Sequence, residues 1–404
     1  MGSASKHYDI VIAGGGMIGT SLALASAPLG LKVAVVEAVA RGSSQQPSFD
    51  ERSTALSRST QRMFEAMGLW DDIVAASTPI TSIHVSDQGR FGFSHIDAAE
   101  QGVEALGYVV TNRVLGGVLQ QALTDAAGVD VICPARITGI DLGDDKATAR
   151  VARDGEEFSL HCDLLVAADG ANSSIREMMG ISASKSEYGQ RAVIGNLLTE
   201  KPMDNRAYER FTSQGPLALL PVNEGRAAFI WTIAEDDADR VLALEDDDFL
   251  RELQAAFGNR QGELSNVGKR AAYPLVLSKA ARLTATRSVL IGNSAHGLHP
   301  VSAQGFNLGM RDVAALCDCL ADHGINQDML QYYAEWRRGD QRKLVSFTDS
   351  LVKLFGAERA PLKILRNAGM LGFDFIPGVR SLFAKHTMGL AGRLPRLSRG
   401  VPIK

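Results

Sequence analysis

Residues 8–37 open with Tyr8-Asp-Ile-Val-Ile-Ala13, pass through Gly14-Gly15-Gly16-Met17-Ile18-Gly19 and a small-residue stretch from Thr20 to Ala27, and close with Lys32-Val-Ala-Val-Val-Glu37. The two outer runs are apolar and β-branched, as buried strands are. The stretch between them has helical composition and is ended by Pro28 and Gly30. Strand, Gly-rich turn, helix and strand in so short a span make one βαβ unit, and such a unit demands a parallel sheet. Gly14 permits the tight turn, Gly16 lets the backbone approach a pyrophosphate, and Gly19 lets the helix pack closely on the sheet. The helix start offers free N–H groups and a positive dipole end to phosphates. Glu37 is placed to accept hydrogen bonds from both hydroxyls of a ribose. Its charge would repel a 2′-phosphate, so the motif expects FAD or NAD. A Gly-rich turn with only a structural role is the competing reading.

Outward from this unit, the polar Ser/Gln-rich residues 41–50 read as a loop, 57–76 as helix, 80–95 as an alternating strand, 111–127 as helix and 129–168 as short strands. Residues 181–275 are β-rich with a helical piece near 246–257, and read as a separate antiparallel sheet. A strand returns at Ser288-Val-Leu-Ile291, a long helix starts near Asn307, and helices continue to the end. The expected fold is α/β, with a Rossmann-like parallel-sheet domain over 6–180, joined by 80–100 to the second sheet. A sheet-rich substrate domain occupies 181–275, the first domain is re-entered at 276–335, and a basic helical region covers 336–404.

A chain of 404 residues suggests two or three domains, and 45% hydrophobic with 22% charged residues is ordinary for a soluble protein. The formal net charge of -4 gives no general attraction to nucleic acid. Cys133, Cys162, Cys317 and Cys319 form no metal-ligand pattern, so free thiols and no metal are expected. The polar start Met1–Asp9 is unlike a signal peptide, and no apolar run is long enough to span a bilayer.

Two further motifs carry chemistry. Leu164-Leu-Val-Ala-Ala168 leads into Asp169-Gly170-Ala-Asn-Ser173-Ser-Ile-Arg176, an apolar strand followed by a turn and a capped helix. Gly292-Asn293-Ser-Ala-His296-Gly-Leu-His299-Pro300-Val-Ser-Ala-Gln304-Gly305-Phe306-Asn307-Leu308-Gly309-Met310-Arg311-Asp312 follows a short buried strand. Its small residues let backbone lie against a flat ring. The amides of Asn307, Leu308 and Gly309 would open the helix and aim its dipole at an electron-rich acceptor such as a reduced flavin.

In this order and spacing the three motifs resemble the aromatic-hydroxylase class of flavoprotein monooxygenases. The first resembles its ADP-binding fingerprint. The second resembles its DGxxSxxR motif, matched by Asp169, Gly170, Ser173 and Arg176, and the third its flavin-ribityl motif. Within the class the ubiquinone-biosynthesis hydroxylases are most similar, in particular the 2-polyprenyl-6-methoxyphenol hydroxylase group. Four more stretches resemble them: Glu51-Arg52-Ser-Thr-Ala-Leu-Ser57, Ile83-His-Val-Ser-Asp87, Glu209-Arg210-Phe211-Thr-x-x-Gly215-Pro216, and Gly268-Lys-Arg-x-Ala-Tyr273-Pro274-Leu. The wider class usually has Gly-Asp where this chain has Gly292-Asn293. An Asn amide reaches a ribityl hydroxyl equally well without charge.

The resemblance implies a p-hydroxybenzoate-hydroxylase-like fold and an FAD enzyme with NAD(P)H as co-substrate. It would hydroxylate a polyprenyl methoxyphenol ring with O2 through a flavin C4a-hydroperoxide, in ubiquinone biosynthesis. No protein nucleophile is implied. Pro300, Gln304, Gly305 and His299 would border the reactive edge. Gly14, Gly16, Gly19, Glu37, Asp169, Gly170, Gly292, Asn293, Gly305, Asn307, Leu308 and Gly309 would hold the cofactor, with Arg52 and Arg113 by analogy of position. Hydroxylation at another ring position or of another phenol, and a flavin-bearing assembly subunit with little turnover alone, are the alternatives. His296 and His299 read either as proton donors or as structural residues bonded to backbone carbonyls. Tyr208, Phe211, Leu219, Trp231 and Tyr273 read either as core or as the lining of an aromatic pocket.

Residues 337–404 carry 9 Arg and 5 Lys against 3 Asp and 1 Glu, a local charge of +10. Basic and apolar residues mixed on helices suit an anionic membrane surface. The expected setting is cytoplasmic, peripheral on the inner face of the membrane, beside other ubiquinone-biosynthesis proteins. Ordinary amphipathic helices packed on the core would give the same composition.

Overall fold

The computed structural model describes residues 6–40, 43, 52–89, 93–223, 225–297, 304–356 and 379–404; for 343–356 and 379–382 it describes the backbone only. The expected loop 41–50 and the apolar-basic stretch 357–378 therefore lie almost wholly outside the described residues.

The strand Lys6–Ala13 (β1), helix Met17–Ser26 (α1) and strand Val33–Val36 (β2) form the βαβ unit. β1 pairs in parallel with β2 and with the long strand Glu156–Ala167 (β11). The sheet is extended in parallel by Val129–Ile132 (β8) beside β2 and by Ser288–Leu290 (β19) beside β11. Continuous apolar runs are what a parallel sheet covered on both faces requires, and Ile10, Val11, Ile12, Leu164, Leu165 and Val166 are all fully buried.

The second sheet is mostly antiparallel. Its spine is Ala183–Thr199 (β12), Arg226–Ala234 (β15), Pro216–Pro221 (β14) and Arg206–Phe211 (β13). Ser82–Asp87 (β5) joins β13 in parallel, and Phe93–Asp97 (β6) lies outside it. At the other edge come Ala271–Ala280 (β17) and then the two residues His296–Gly297 (β20), so the third motif is pinned to this sheet. Alternation gives the sheet two distinct faces. Tyr208, Leu217, Leu219, Phe229 and Trp231 point to one face, where helices Glu235–Leu242 (α6) and Asp246–Phe257 (α7) cover them. Ala207, Leu220 and Ala228 point to the other, where they meet Ile80 and Val109.

Those last two residues belong to a small third sheet, Ser53–Ser57 (β3), Gly107–Thr111 (β7) and Thr78–Ile80 (β4). It is wedged between the second sheet and the long helix Gln304–His323 (α8).

Two local expectations change. Residues 57–76 fold as two helices, Arg58–Ala66 (α2) and Trp70–Val74 (α3), because Gly68 takes φ +70 and ends the first. The helix α6 is additional: its acidic sequence buries only Ala238 and Val241, too few for its period to stand out. Helices Asn112–Asp125 (α4), Ser174–Met178 (α5), Gln327–Gly356 (α9) and Val379–Thr387 (α10) complete the parts used below.

Candidate active site

The turn between β1 and α1 is built from close approaches. Gly14 has φ +103, and a Cβ there would sit 2.6 Å from the Ala168 carbonyl oxygen. A Cβ on Gly19 would sit 1.9 Å from the Gly14 oxygen, so the helix can lie this close to the turn only without one. Gly16 is the N-cap of α1 and no side chain caps it. The first-turn N–H groups of α1 therefore keep their hydrogen-bonding capacity for an anion. Glu37 Oε2 accepts from Gly15 N–H at 2.7 Å and Oε1 from Val39 N–H at 2.7 Å. Its carboxylate is thus fixed at the end of β2, beside a crevice lined by Gly15, Val39, Val131 and Cys133. These features suit the adenosine diphosphate end of a dinucleotide.

In the second motif Gly170 has φ +89 and open space around it. Asp169 accepts from the Ser173 hydroxyl and, at 3.1 Å, from Ile175 N–H; Ser173 in turn caps Arg176 N–H at 2.9 Å. Arg176 is buried and donates to the Ala171 and Ser294 carbonyls at 3.2 and 2.9 Å. The second motif therefore clamps the third: Ser294 also reaches back to the Ala167 carbonyl at 2.7 Å.

The third motif is anchored by a residue the sequence reading passed over. Asp312 is fully buried on α8. Its Oδ2 accepts from Gly292 N–H at 2.9 Å and lies 2.6 Å from His296 Nε2, and its Oδ1 accepts from Arg337 at 2.7 Å. Burial pushes this carboxyl up, but attraction to His296 and Arg337 outweighs it, leaving the group at about 2 against an ordinary 3.8. Arg337 and Arg311 both pair with Asp340. Asp312 was partly signalled, since it ends the motif. Arg337 gave none, because a buried Arg on α9 reads like any Arg on a surface helix. His296 is structural, but its partner is this carboxylate and not the expected backbone carbonyl. Gly292, at φ +58, packs against Ile18, while Asn293 is exposed at the turn.

α8 begins at Gln304, three residues before the expected Asn307. Asn307, Leu308 and Gly309 therefore lie inside the described helix, not at its opening. Asn307 works through its side chain: Oδ1 accepts from Ser57 N–H and the Thr60 hydroxyl, both at 2.8 Å, and Nδ2 donates to the Ala55 carbonyl at 2.9 Å. Leu308 is buried, and a Cβ on Gly309 would meet Ile18 at 2.8 Å, so this glycine lets α8 touch α1. Gln304 donates to the Thr387 carbonyl at 3.1 Å, bringing α10 to the same place. His299 and Pro300 lie outside the described residues. Arg52 and Arg113 come together at the end of the third sheet, where Asn112 N–H donates to the Arg52 carbonyl at 2.7 Å. The Arg52 guanidinium stacks on the Tyr273 ring, 4.9 Å from its centroid.

Of the expected aromatic lining, Tyr208, Leu219 and Trp231 are core residues under α6 and α7, and Phe211 is buried. Tyr273 alone is exposed. The face turned toward the third sheet is instead small and aliphatic, with Ala207, Ala218, Ala228 and Ile230. One carboxyl, Glu209, stands in that wall in register with Ala218 and Val85.

A family model described as an FAD binding domain matches residues 7–348. The chain is 36% identical over 412 residues to the ubiquinone hydroxylase UbiL of Rhodospirillum rubrum, covering 100% of this chain and 95% of that one. It is 29% identical over 401 residues to the 3-demethoxyubiquinol 3-hydroxylase of Escherichia coli, covering 96% of this chain and 100% of the relative. Among solved structures, p-nitrophenol 4-monooxygenase PnpA from Pseudomonas putida superposes with a TM-score of 0.80 at 19% identity, over 96% of this chain and 99% of that one, which shows the shared fold. The chain belongs to the FAD-binding-domain family and, within it, to the ubiquinone hydroxylases: it is an FAD-dependent monooxygenase.

Proposed function

We propose that the protein hydroxylates the ring of a polyprenyl methoxyphenol in ubiquinone biosynthesis, with NAD(P)H and O2 as co-substrates. The observation that carries this is the aliphatic inner face of the second sheet, Ala207, Ala218, Leu220, Ala228 and Ile230, which meets the third sheet beside α8. Such a wall suits a flat ring bearing an apolar tail far better than a charged acid. The likeness to ubiquinone hydroxylases along nearly the whole chain supports the same substrate class.

When bound, FAD supplies the chemistry that transfers one oxygen atom of O2 to the ring. The protein's part is binding, orientation and exclusion of water. Gly14, Gly16 and Gly19 let the pyrophosphate reach the start of α1, and Glu37 holds the ribose. Asp169 and Gly170 form the turn along which the cofactor lies. Gly292 and Asn293 would hold the ribityl chain, and the N–H groups of Gln304 and Gly305 would favour the negative charge of the reduced ring. Leu308 and Gly309 seat α8 against α1, while Arg52 and Arg113 favour the cofactor's anionic groups.

The proposal extends to location. The +10 charge of residues 337–404 favours the anionic inner face of the cytoplasmic membrane, where a prenylated phenol resides and other ubiquinone-biosynthesis proteins would be met. Among the described residues no helix is long and apolar enough to cross a membrane.

The test is NAD(P)H and O2 consumption by the FAD-loaded protein with a short-chain 2-prenyl-6-methoxyphenol. A product heavier by one oxygen, labelled from 18O2, is expected. Reducible FAD without product would move the function to another phenol or ring position, or to a subunit that needs its partners.

A further inference from the structure

Resting on the phenol-hydroxylase reading above, we propose that Glu209 is the group that accepts the proton of the substrate's ring hydroxyl. Strand alternation places Glu209 on the inner face of the second sheet, the same face as Ala207, Ala228 and Ile230. Its register neighbours are Val85 and Ala218, and Ala207 and Phe211 flank it two residues away on its own strand. Ala55, Ile80 and Val109 of the third sheet pack on this face with Ala207 and Ala228. Among the described residues no hydrogen bond or ion pair reaches its carboxyl. Glu209 nonetheless keeps some accessible surface, although its side chain lies deep among neighbouring atoms.

A half-buried carboxyl with no protein partner is costly to keep in an apolar wall. Burial, acting alone, pushes Glu209 up to about 7 from an ordinary 4.5. The register puts one other ionisable side chain on this side of the strand pair, Asp87 opposite Phe211, and it contributes nothing to that shift. His84, Arg206 and Arg210 point to the opposite face. A base poised near neutrality suits proton transfer at the pH of the cytoplasm. In the step, the phenol O–H bond breaks and its electron pair stays on oxygen. The proton bonds to a Glu209 carboxylate oxygen. The ring carbons ortho and para to the oxygen gain electron density and become better nucleophiles toward the incoming oxygen. The carboxylic acid later returns its proton to the product's phenolate oxygen.

The test uses the oxidised, FAD-loaded protein and two probes, 2-prenyl-6-methoxyphenol and its methyl ether, with binding read from the flavin's visible spectrum. In the wild type the phenol should bind about fivefold or more tightly at pH 8 than at pH 5.5, because the carboxylate accepts its hydrogen bond. The methyl ether, with no proton to give, should show flat binding. Glu209→Gln should flatten the phenol's profile and slow single-turnover hydroxylation by about 100-fold at pH 7.5. Should Glu209→Gln fail to fold, Glu209→Asp retains a carboxylate and should keep the pH dependence at a reduced rate. A phenol that is hydroxylated but binds with a pH dependence matching its methyl ether, or one unchanged in Glu209→Gln, would overturn the role of Glu209 alone. A flavin spectrum that responds to no phenol would overturn the substrate reading and this proposal with it.

Discussion

Glu209 is half-buried and Asp312 fully buried, and their surroundings drive these two carboxyls in opposite directions. Glu209 has only burial acting on it and is raised to about 7. A raised carboxyl stabilises the fold below its unfolded value and loses that contribution as pH climbs through the folded one. The free protein should therefore lose about 2 kcal/mol between pH 4.5 and pH 7.5 through this residue. Glu209→Gln should remove the loss, raising the thermal midpoint at pH 8 but not at pH 4.5. Asp312 is held at about 2. Its contribution is present above its ordinary value and disappears as pH falls from about 4 toward 2. Asp312→Asn leaves His296 buried without its anion and Arg337 with Asp340 alone, and should cost about 3 kcal/mol in denaturant melts at pH 7. Neither carboxyl was legible as special in the sequence. Each stands in a stretch that resembles the family, but burial and partners arise from chain segments far apart, Asp312 with Arg337 on another helix and Glu209 among strands β5 and β14. The glycines were legible, because their φ angles and close approaches are local. Gly19→Ala would place a methyl 1.9 Å from the Gly14 oxygen; the purified variant should retain no FAD by absorbance.

At the scale of elements, α8 links the parts of the site. Its N-terminal turn faces the flavin motif, Asn307 holds β3 and α2, Gly309 meets α1, and Asp312 holds Gly292. Asn307→Ala removes acceptors and a donor from three partners at once and should cost about 2–4 kcal/mol. It should also weaken FAD retention during dialysis more than a cavity mutation such as Leu253→Ala under α7. The sequence reading placed the start of α8 near Asn307, which lies inside the described helix, because Gly305 and Gly309 read as loop. Periodicity found the βαβ unit nearly to the residue, since a run buried on both faces needs no partner to be recognised. It missed α6, whose two buried residues leave no stripe.

The whole molecule has two main cores, one around the parallel sheet and one between the second sheet and helices α6 and α7. FAD binds the folded first core and not the unfolded chain. At 100 times its dissociation constant it should add about 2.7 kcal/mol to stability, read as a rise in the melting midpoint. Composition pointed to two or three domains, but not to how often the chain passes between them. Strands β1 and β2 enter the first sheet, β5 and β6 the second, β8 and β11 the first, β12 to β17 the second, and β19 the first again. This interleaving bears on how the protein is made. Ser288–Leu290 closes the parallel sheet, and the flavin motif follows it. A ribosome must deliver roughly three quarters of the polypeptide before a complete cofactor site can exist. Until then the nascent β1–α1–β2 unit waits with its glycine turn formed but unanswered, and FAD must be taken up late in synthesis or after release.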